Sequence, residues 1–155
     1  MTAAARLALD DCRQCLRMLR VEPEGPSWRV IWVATIALLR AVGHVLAKAD
    51  APKDVALQRI VDAKWEAMKA SKPAPAIFWE FIESERNDLL KTYETAARTS
   101  VAVGGGKLGR PNSYDYRIGS GIFAGRDQRE VVEEAIAFWD EYLLDIENTY
   151  RTANP

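Results

Sequence analysis

The chain has 155 residues, of which 48% are hydrophobic and 28% are charged. These proportions are typical of a single globular domain and exclude an intrinsically disordered chain. Lysine and arginine total 21 against 22 for aspartate and glutamate, so the charge balance does not favour a protein that binds nucleic acid chiefly by electrostatics.

The sequence also bears on the cellular compartment. Asp10 and Asp11 interrupt the first residues, which lack the continuous apolar stretch of a secretory signal. The longest uncharged apolar run, 30–39, is about half of the roughly 20 residues that a membrane-spanning helix needs. We therefore expect a cytoplasmic protein without a membrane partner. Its two cysteines, Cys12 and Cys15, provide no disulfide framework.

Five segments carry apolar residues at helical spacing. The second of them is apolar nearly all round through Leu39, which is typical of a central helix enclosed by the others. The pattern predicts an all-α fold, an antiparallel bundle of about five helices that forms one domain over residues 1–155. The predicted helices span 3–19, 28–49, 53–70, 76–98 and 128–150.

The composition changes between the fourth and fifth helices, in an excursion over 99–126. Three consecutive glycines, 104–106, lie between two short β-favouring runs, 101–103 and 114–118. This arrangement predicts a Gly-rich loop or a β-hairpin. Asp127, followed three residues later by Glu130, then matches the capping box that starts a helix.

The fourth helix contains a charge in its apolar stripe. In "FWEFIESERNDLLKTY", a helical wheel aligns Phe78, Ile82 and Leu89, and it places Glu85 inside the same stripe with Arg86 at its edge. Burying a lone charge costs several kcal/mol, so we expect partners for both side chains.

The second helix supplies candidate partners, because Arg40 and His44 lie one turn apart on an otherwise apolar helix. We expect a buried polar cluster, with a buried salt bridge, made of Arg40, His44, Glu85 and Arg86. Such a cluster either fixes the register of the bundle or forms a ligand-binding or catalytic site. The single histidine rules out most zinc ligand sets, and we expect no metal and no cofactor.

Two further features have simpler explanations. Cys12 and Cys15 have the spacing of redox and metal motifs, but without a second pair we expect small core residues. Trp79 lies towards the edge of the apolar arc of the fourth helix, which makes it a candidate contact in a homodimer.

The antiparallel helices and the Arg86-Asn87 dipeptide on a late helix resemble the HEPN superfamily, small α-helical proteins that include RNA-cleaving toxins and RNA-associated modules. In that family a histidine follows the arginine by four to six residues, whereas here "DLLKTYE" follows the dipeptide and His44 lies on an earlier helix. The resemblance implies that Arg86 contacts RNA phosphate, with His44 or Glu85 as the acid or base.

Three functions are compatible with these features. The first is a non-enzymatic interaction protein that self-associates or binds a protein partner through an apolar or Gly-rich surface. The second is a HEPN-like RNA-processing or toxin–antitoxin component. The third is a small-ligand-binding bundle, with a pocket around Glu85 and Arg86 and the Gly-rich excursion as its lid.

Overall fold

A computed structural model of the chain describes residues 1–102 and 113–154. Within them the fold is an all-α bundle, as the apolar periodicity predicts. A π-helical turn, Leu46–Asp50, extends the second helix, and another, Ile77–Glu83, leads into the fourth. The α-helices of these residues are α1 (Ala3–Arg20), α2 (Gly25–Val45), α3 (Val55–Ala70), α4 (Ser84–Thr92) and α5 (Gln128–Ala153).

Helices α1 and α5 are antiparallel, because residue numbers fall along α5 as they rise along α1 in the ion pairs that join them. Each pair crosses the surface of the contact rather than its core, so the apolar faces remain free to pack. Three of the pairs are Arg6–Glu147 at 3.0 Å, Arg13–Asp140 at 2.6 Å and Arg20–Glu133 at 2.9 Å, and Arg6 also binds Asp140.

The first turn of α1 is capped by a residue far away in sequence. Asp50, which is buried, accepts hydrogen bonds from the backbone N–H of Ala4 at 3.2 Å and of Ala5 at 2.8 Å. A carboxylate at this position satisfies two of the four N–H groups that a helix leaves unpaired at its start. The end of the second helix is thereby joined to the beginning of the first.

Helix α2 contacts α1, α4 and α5 and places Trp32, Ile36 and Leu39 in the core. The expectation that it is fully enclosed is wrong, since Val30 is 63% exposed and Ala37 is also exposed. By length and composition alone, one helical stretch of the described residues, Gly25–Lys53, could cross a membrane. The core helix of a soluble protein also meets these criteria of length and composition.

The close approach of α2 and α5 depends on a glycine. A Cβ atom added at Gly43 would lie 2.5 Å from Cη2 of Trp139, which is far inside van der Waals contact. The Trp139 side chain is only 1% exposed and packs edge-on against Phe78, which limits how far its ring can move. Gly43 therefore sets how closely these two helices pack.

Of the two predicted alternatives, a Gly-rich loop or a β-hairpin, the described residues show the paired strands of the second. Strand β1 (Ala97–Ala102) pairs antiparallel with β2 (Ser113–Ile118), from Ala97 opposite Ile118 to Ala102 opposite Ser113. The three glycines at 104–106 lie outside the described residues. The fourth helix is shorter than predicted: α4 ends at Thr92 rather than at 98, because Tyr93 takes the left-handed conformation at φ 57°.

The last helix begins where the capping pattern predicts. Oδ1 of Asp127 accepts a hydrogen bond from the backbone N–H of Arg129 at 2.8 Å, and α5 starts at Gln128. The guanidinium of Arg129 also binds the Asp127 carboxylate, and these hydrogen bonds lower the pKa of Asp127 below its usual value. The cap is therefore ionised at neutral pH.

Candidate functional site

The Glu85 carboxylate is buried, with 3% of the residue exposed, as its place in the apolar stripe predicts. Its partners differ from the predicted ones. Oε1 accepts hydrogen bonds from the Trp32 indole N–H at 3.1 Å, from the Thr95 hydroxyl and from the Ala96 backbone N–H at 3.1 Å. Because Thr95 and Ala96 directly precede β1, this charge anchors the chain where it leaves α4.

Arg40 pairs with a different glutamate. Its Nε lies 3.4 Å from Oε2 of Glu83, and its guanidinium sits over the Phe78 ring at 5.8 Å. That buried oxygen makes no hydrogen bond with a described residue, so the contact is an ion pair of poor hydrogen-bond geometry. The predicted pairing of Glu85 with Arg40 is wrong.

The π-helical turn Ile77–Glu83 explains the difference. The helical wheel assumes about 100° per residue throughout, whereas a π turn bonds residue i to i+5 and rotates less per residue. The angular positions of Glu83 and Glu85 therefore differ from those of an unbroken α-helix. Glu83 meets Arg40 on α2, and Glu85 turns towards the hairpin.

Arg40, His44 and Arg86 nevertheless come together, on the surface between α2 and α4. They line a groove of about 340 Å³, which we call the α2–α4 groove, and Glu85 is not part of it. Three of the four predicted cluster residues are therefore neighbours, arranged around a depression rather than around a buried carboxylate. The remaining lining is apolar and consists of Ala37, Ala41 and Leu90.

The charges of the α2–α4 groove are not balanced locally. Arg86 is half-buried and donates to Oδ1 of the adjacent Asn87 at 3.0 Å, and no carboxylate of a described residue forms an ion pair with it. Arg40 has its partner in Glu83, while His44 is exposed. A half-buried guanidinium without a counter-ion favours a bound anion, because each arginine offers a planar pair of donors to an oxyanion.

Other candidates from the sequence are structural. Burial raises the pKa of the Cys12 thiol to about 12, and Cys15 is buried beside it, so neither thiol is a ready nucleophile or metal ligand. Trp79 is buried against Trp65 and Phe78, and the expectation of a dimer contact at Trp79 is wrong. Over 1–102 and 113–154, no group of three or more His, Cys, Asp or Glu residues could hold a metal ion.

The sequence reasoning missed the polar partners of two core tryptophans. Trp32 reaches Glu85, and the Trp28 indole N–H donates to Oε1 of Gln128 at 3.0 Å. The rings of Trp28 and Trp32 stack with centroids 6.2 Å apart. One general rule could have predicted the Trp32 pairing. A buried tryptophan needs an acceptor for its N–H, and the sequence placed the acceptor Glu85 in an apolar stripe.

Comparisons with protein-family models, with curated proteins and with solved structures found no match to this chain. Its function must therefore be argued from its own residues and their geometry.

Proposed function

We propose that this chain is a non-enzymatic interaction protein whose α2–α4 groove binds an acidic segment of a protein partner. The observation that supports this function is the unbalanced positive charge of the groove, in which Arg86 is half-buried and has no carboxylate partner among the described residues. The apolar lining by Ala37, Ala41 and Leu90 suits an aliphatic side chain next to the bound oxyanion.

A carboxylate or phosphate in the groove would replace water around Arg86 by a charge-assisted hydrogen bond, the strong kind of polar contact. Arg40 would contribute less, because Glu83 already offsets its charge. The volume of about 340 Å³ is at the lower end of ligand sites, which suits one or two side chains rather than a large cofactor. The near-neutral chain also favours a peptide over nucleic acid, since no overall basic excess is present.

The test is a fluorescence-anisotropy titration with a labelled peptide of alternating leucine and glutamate. Arg86→Ala should weaken binding about tenfold or more, the effect of removing one partner of a desolvated charge pair. Arg59→Ala is the matched control, because Arg59 is an exposed arginine on α3 outside the groove. Equal losses in both variants, or no binding by the parent protein, would reject the groove as a peptide site.

One observation favours the HEPN-like alternative. No histidine follows Arg86-Asn87 closely in sequence, but His44 lines the same groove as Arg86. In an RNA-cleaving protein Arg86 would hold phosphate and His44 would act as the acid or base. Glu85 has no part in this alternative, because its carboxylate is buried and occupied by hydrogen-bond donors outside the groove.

Incubation with a labelled oligouridylate distinguishes the alternatives. Cleavage that His44→Ala abolishes, while Arg59→Ala leaves it unchanged, would establish the RNA-processing function and reject the non-enzymatic one. Intact RNA together with Arg86-dependent peptide binding supports the proposed function.

The proposal includes self-association through the outward face of α2. From Val30 to Ile36 this face carries no charge, and Val30 and Ala34 lie along it with exposed or half-exposed side chains outside the α2–α4 groove. Small side chains allow two helices to approach closely, and an uncharged exposed helix face is typical of a contact between proteins. The occupant we propose is the same face of a second copy.

A further inference from the structure

A second depression lies between α2, α3 and α5. It has a volume of about 290 Å³, and we call it the aromatic cavity. It shares Arg40 and His44 with the α2–α4 groove, but Arg86 does not line it. Its floor is buried and apolar, formed by Leu46, Val61 and Trp139.

The walls of the aromatic cavity are rigid. Trp139 is held edge-on against Phe78 at 5.7 Å and against Tyr142 at 5.6 Å, with interplanar angles of 90° and 87°. Gly43 fixes the other side of the Trp139 ring. Trp65 completes the wall and meets Phe78 edge-on at 5.8 Å. A cavity with rigid aromatic walls exists before a ligand arrives, which lowers the entropy lost on binding.

The size of the aromatic cavity limits its ligand to about one ring with a short substituent. A cavity of roughly 150 Å³ lined by aliphatic and aromatic side chains takes benzene, and this one has about twice that volume. The ring of a ligand would lie against the half-buried Trp65, above the buried floor. The Trp139 N–H is sealed from solvent, so Trp139 offers no hydrogen bond to the ligand.

The rim of the aromatic cavity is polar, with positive groups on its α2 side and a negative group on its α3 side. Arg40 and Lys48 line its α2 side, and Lys48 forms no ion pair with a described residue. Asp62 lines the α3 side and accepts a hydrogen bond from Gln58 at 2.9 Å. Burial raises the pKa of Tyr142 to about 12, so its hydroxyl stays neutral and able to donate.

We propose that the aromatic cavity binds a small aryl carboxylate, with the ring against Trp65 and the carboxylate on the α2 side of the rim. Lys48 supplies the charge for the carboxylate, and Tyr142 supplies a neutral donor. Asp62 repels the carboxylate from the α3 side, which orients the ligand. This site does not depend on peptide binding in the α2–α4 groove.

Three probes that share one ring test the charge preference: phenylacetate, phenylacetamide and phenethylamine. Heteronuclear NMR titration should show the indole resonance of Trp65 shifting with phenylacetate. Phenylacetate should bind about threefold to fivefold more tightly than the amide, the contribution of one exposed ion pair, and the amine should bind most weakly. Tighter binding of the amine, or no shift with any probe, would overturn the proposal.

Variants separate the cavity from the groove. Val61→Phe fills the buried floor and should abolish phenylacetate binding, and Ala47→Phe, on the half-buried wall, repeats the test if the first variant does not fold. Lys48→Gln should lower the affinity for phenylacetate to that of the parent protein for phenylacetamide. Lys91→Gln, on the exposed side of α4, should not change the affinity for phenylacetate. Arg86→Ala should leave phenylacetate binding unchanged. Binding that survives both cavity-filling variants would place the ligand elsewhere and reject the site.

Discussion

The Glu85 carboxylate accepts a hydrogen bond from the Trp32 indole N–H at 3.1 Å, which joins a buried charge to a fully buried ring of the core. The same carboxylate accepts from the Ala96 backbone N–H. One side chain therefore ties together α2, α4 and the segment that directly precedes the first strand of the hairpin. In a dry interior such a residue is costly to remove, because its donors are left unsatisfied.

Glu85→Gln should lower the free energy of unfolding by about 1–3 kcal/mol, since an amide has one acceptor oxygen where the carboxylate has two. Glu85→Ala should cost more, because the Trp32 N–H then has no acceptor. Urea denaturation measures both effects, with Glu80→Gln as a control at an exposed position nearby. Equal midpoints for Glu85→Gln and Glu80→Gln would contradict an anchoring role.

Gly43→Ala should destabilise the fold by about 1–3 kcal/mol through overpacking against Trp139. Helix propensity alone predicts the opposite, a gain in stability of about 1 kcal/mol. The sign of the change in stability therefore shows whether overpacking or helix propensity dominates. A double-mutant cycle with Trp139→Phe provides the check, because phenylalanine lacks the Cη2 atom that the new methyl group would meet. The cost of Gly43→Ala should shrink in that background.

Asp50→Ala should lower the free energy of unfolding by about 1–2 kcal/mol and should increase hydrogen exchange at Ala4 and Ala5. Asp50→Asn should lose less, because an amide oxygen still accepts a hydrogen bond from the helix start. Asp11→Ala, at an exposed position on α1, is the control. Unchanged exchange at Ala4 and Ala5 would show that another group caps α1.

The contact of Glu147 with Arg6 should make stability depend on acid pH. The hydrogen bond from Arg6 lowers the pKa of Glu147 below its usual value. Stability from a lowered pKa is fully present above the unfolded pKa of about 4.3 and is lost as the pH falls through the folded pKa. Glu147→Gln should therefore lower the free energy of unfolding by about 1–2 kcal/mol at pH 7. Below about pH 4 the free energies of unfolding of the variant and the parent protein should become similar.

Unfolding curves at several pH values measure this dependence. Glu141→Gln, at an exposed position of the same helix, should show none. A difference for Glu147→Gln that stays constant with pH would contradict the ion-pair contribution.

Val30→Lys should convert self-associated protein to monomer, because a charge on the outward face of α2 would be buried between two copies. Val55→Lys is the matched control: Val55, on α3, is 69% exposed against 63% for Val30. Light scattering after size-exclusion chromatography measures the mass of each variant. A parent protein that is monomeric at high concentration would reject the α2 contact.

Much of the fold could be predicted from local pattern. The amphipathic period located the helices, and Asp127 marked the start of the last one correctly. The hairpin followed from β-favouring runs around three glycines. The end of the fourth helix could not be predicted from local pattern. The helix ends before Tyr93, and Thr95 and Ala96 then bind the distant side chain of Glu85.

The site was predictable in part. Burial of Glu85 followed from its position in an apolar stripe, and Arg40, His44 and Arg86 do share a groove. The pairing within that set was not predictable, since a π-helical turn changes the rotation per residue before Glu83. The aromatic cavity had no local signal, because its floor and walls come from segments far apart in the chain.

The sequence by itself therefore determined the helices and the fact that a charge is buried, because helical periodicity acts between near neighbours. Only the tertiary structure decided that Glu85 binds Trp32, that Asp50 caps α1 and that Arg86 shares a groove with Arg40 and His44. A buried polar group takes whichever partner the packing of distant segments brings within about 3 Å. That distance is a property of the assembled bundle and not of any one helix.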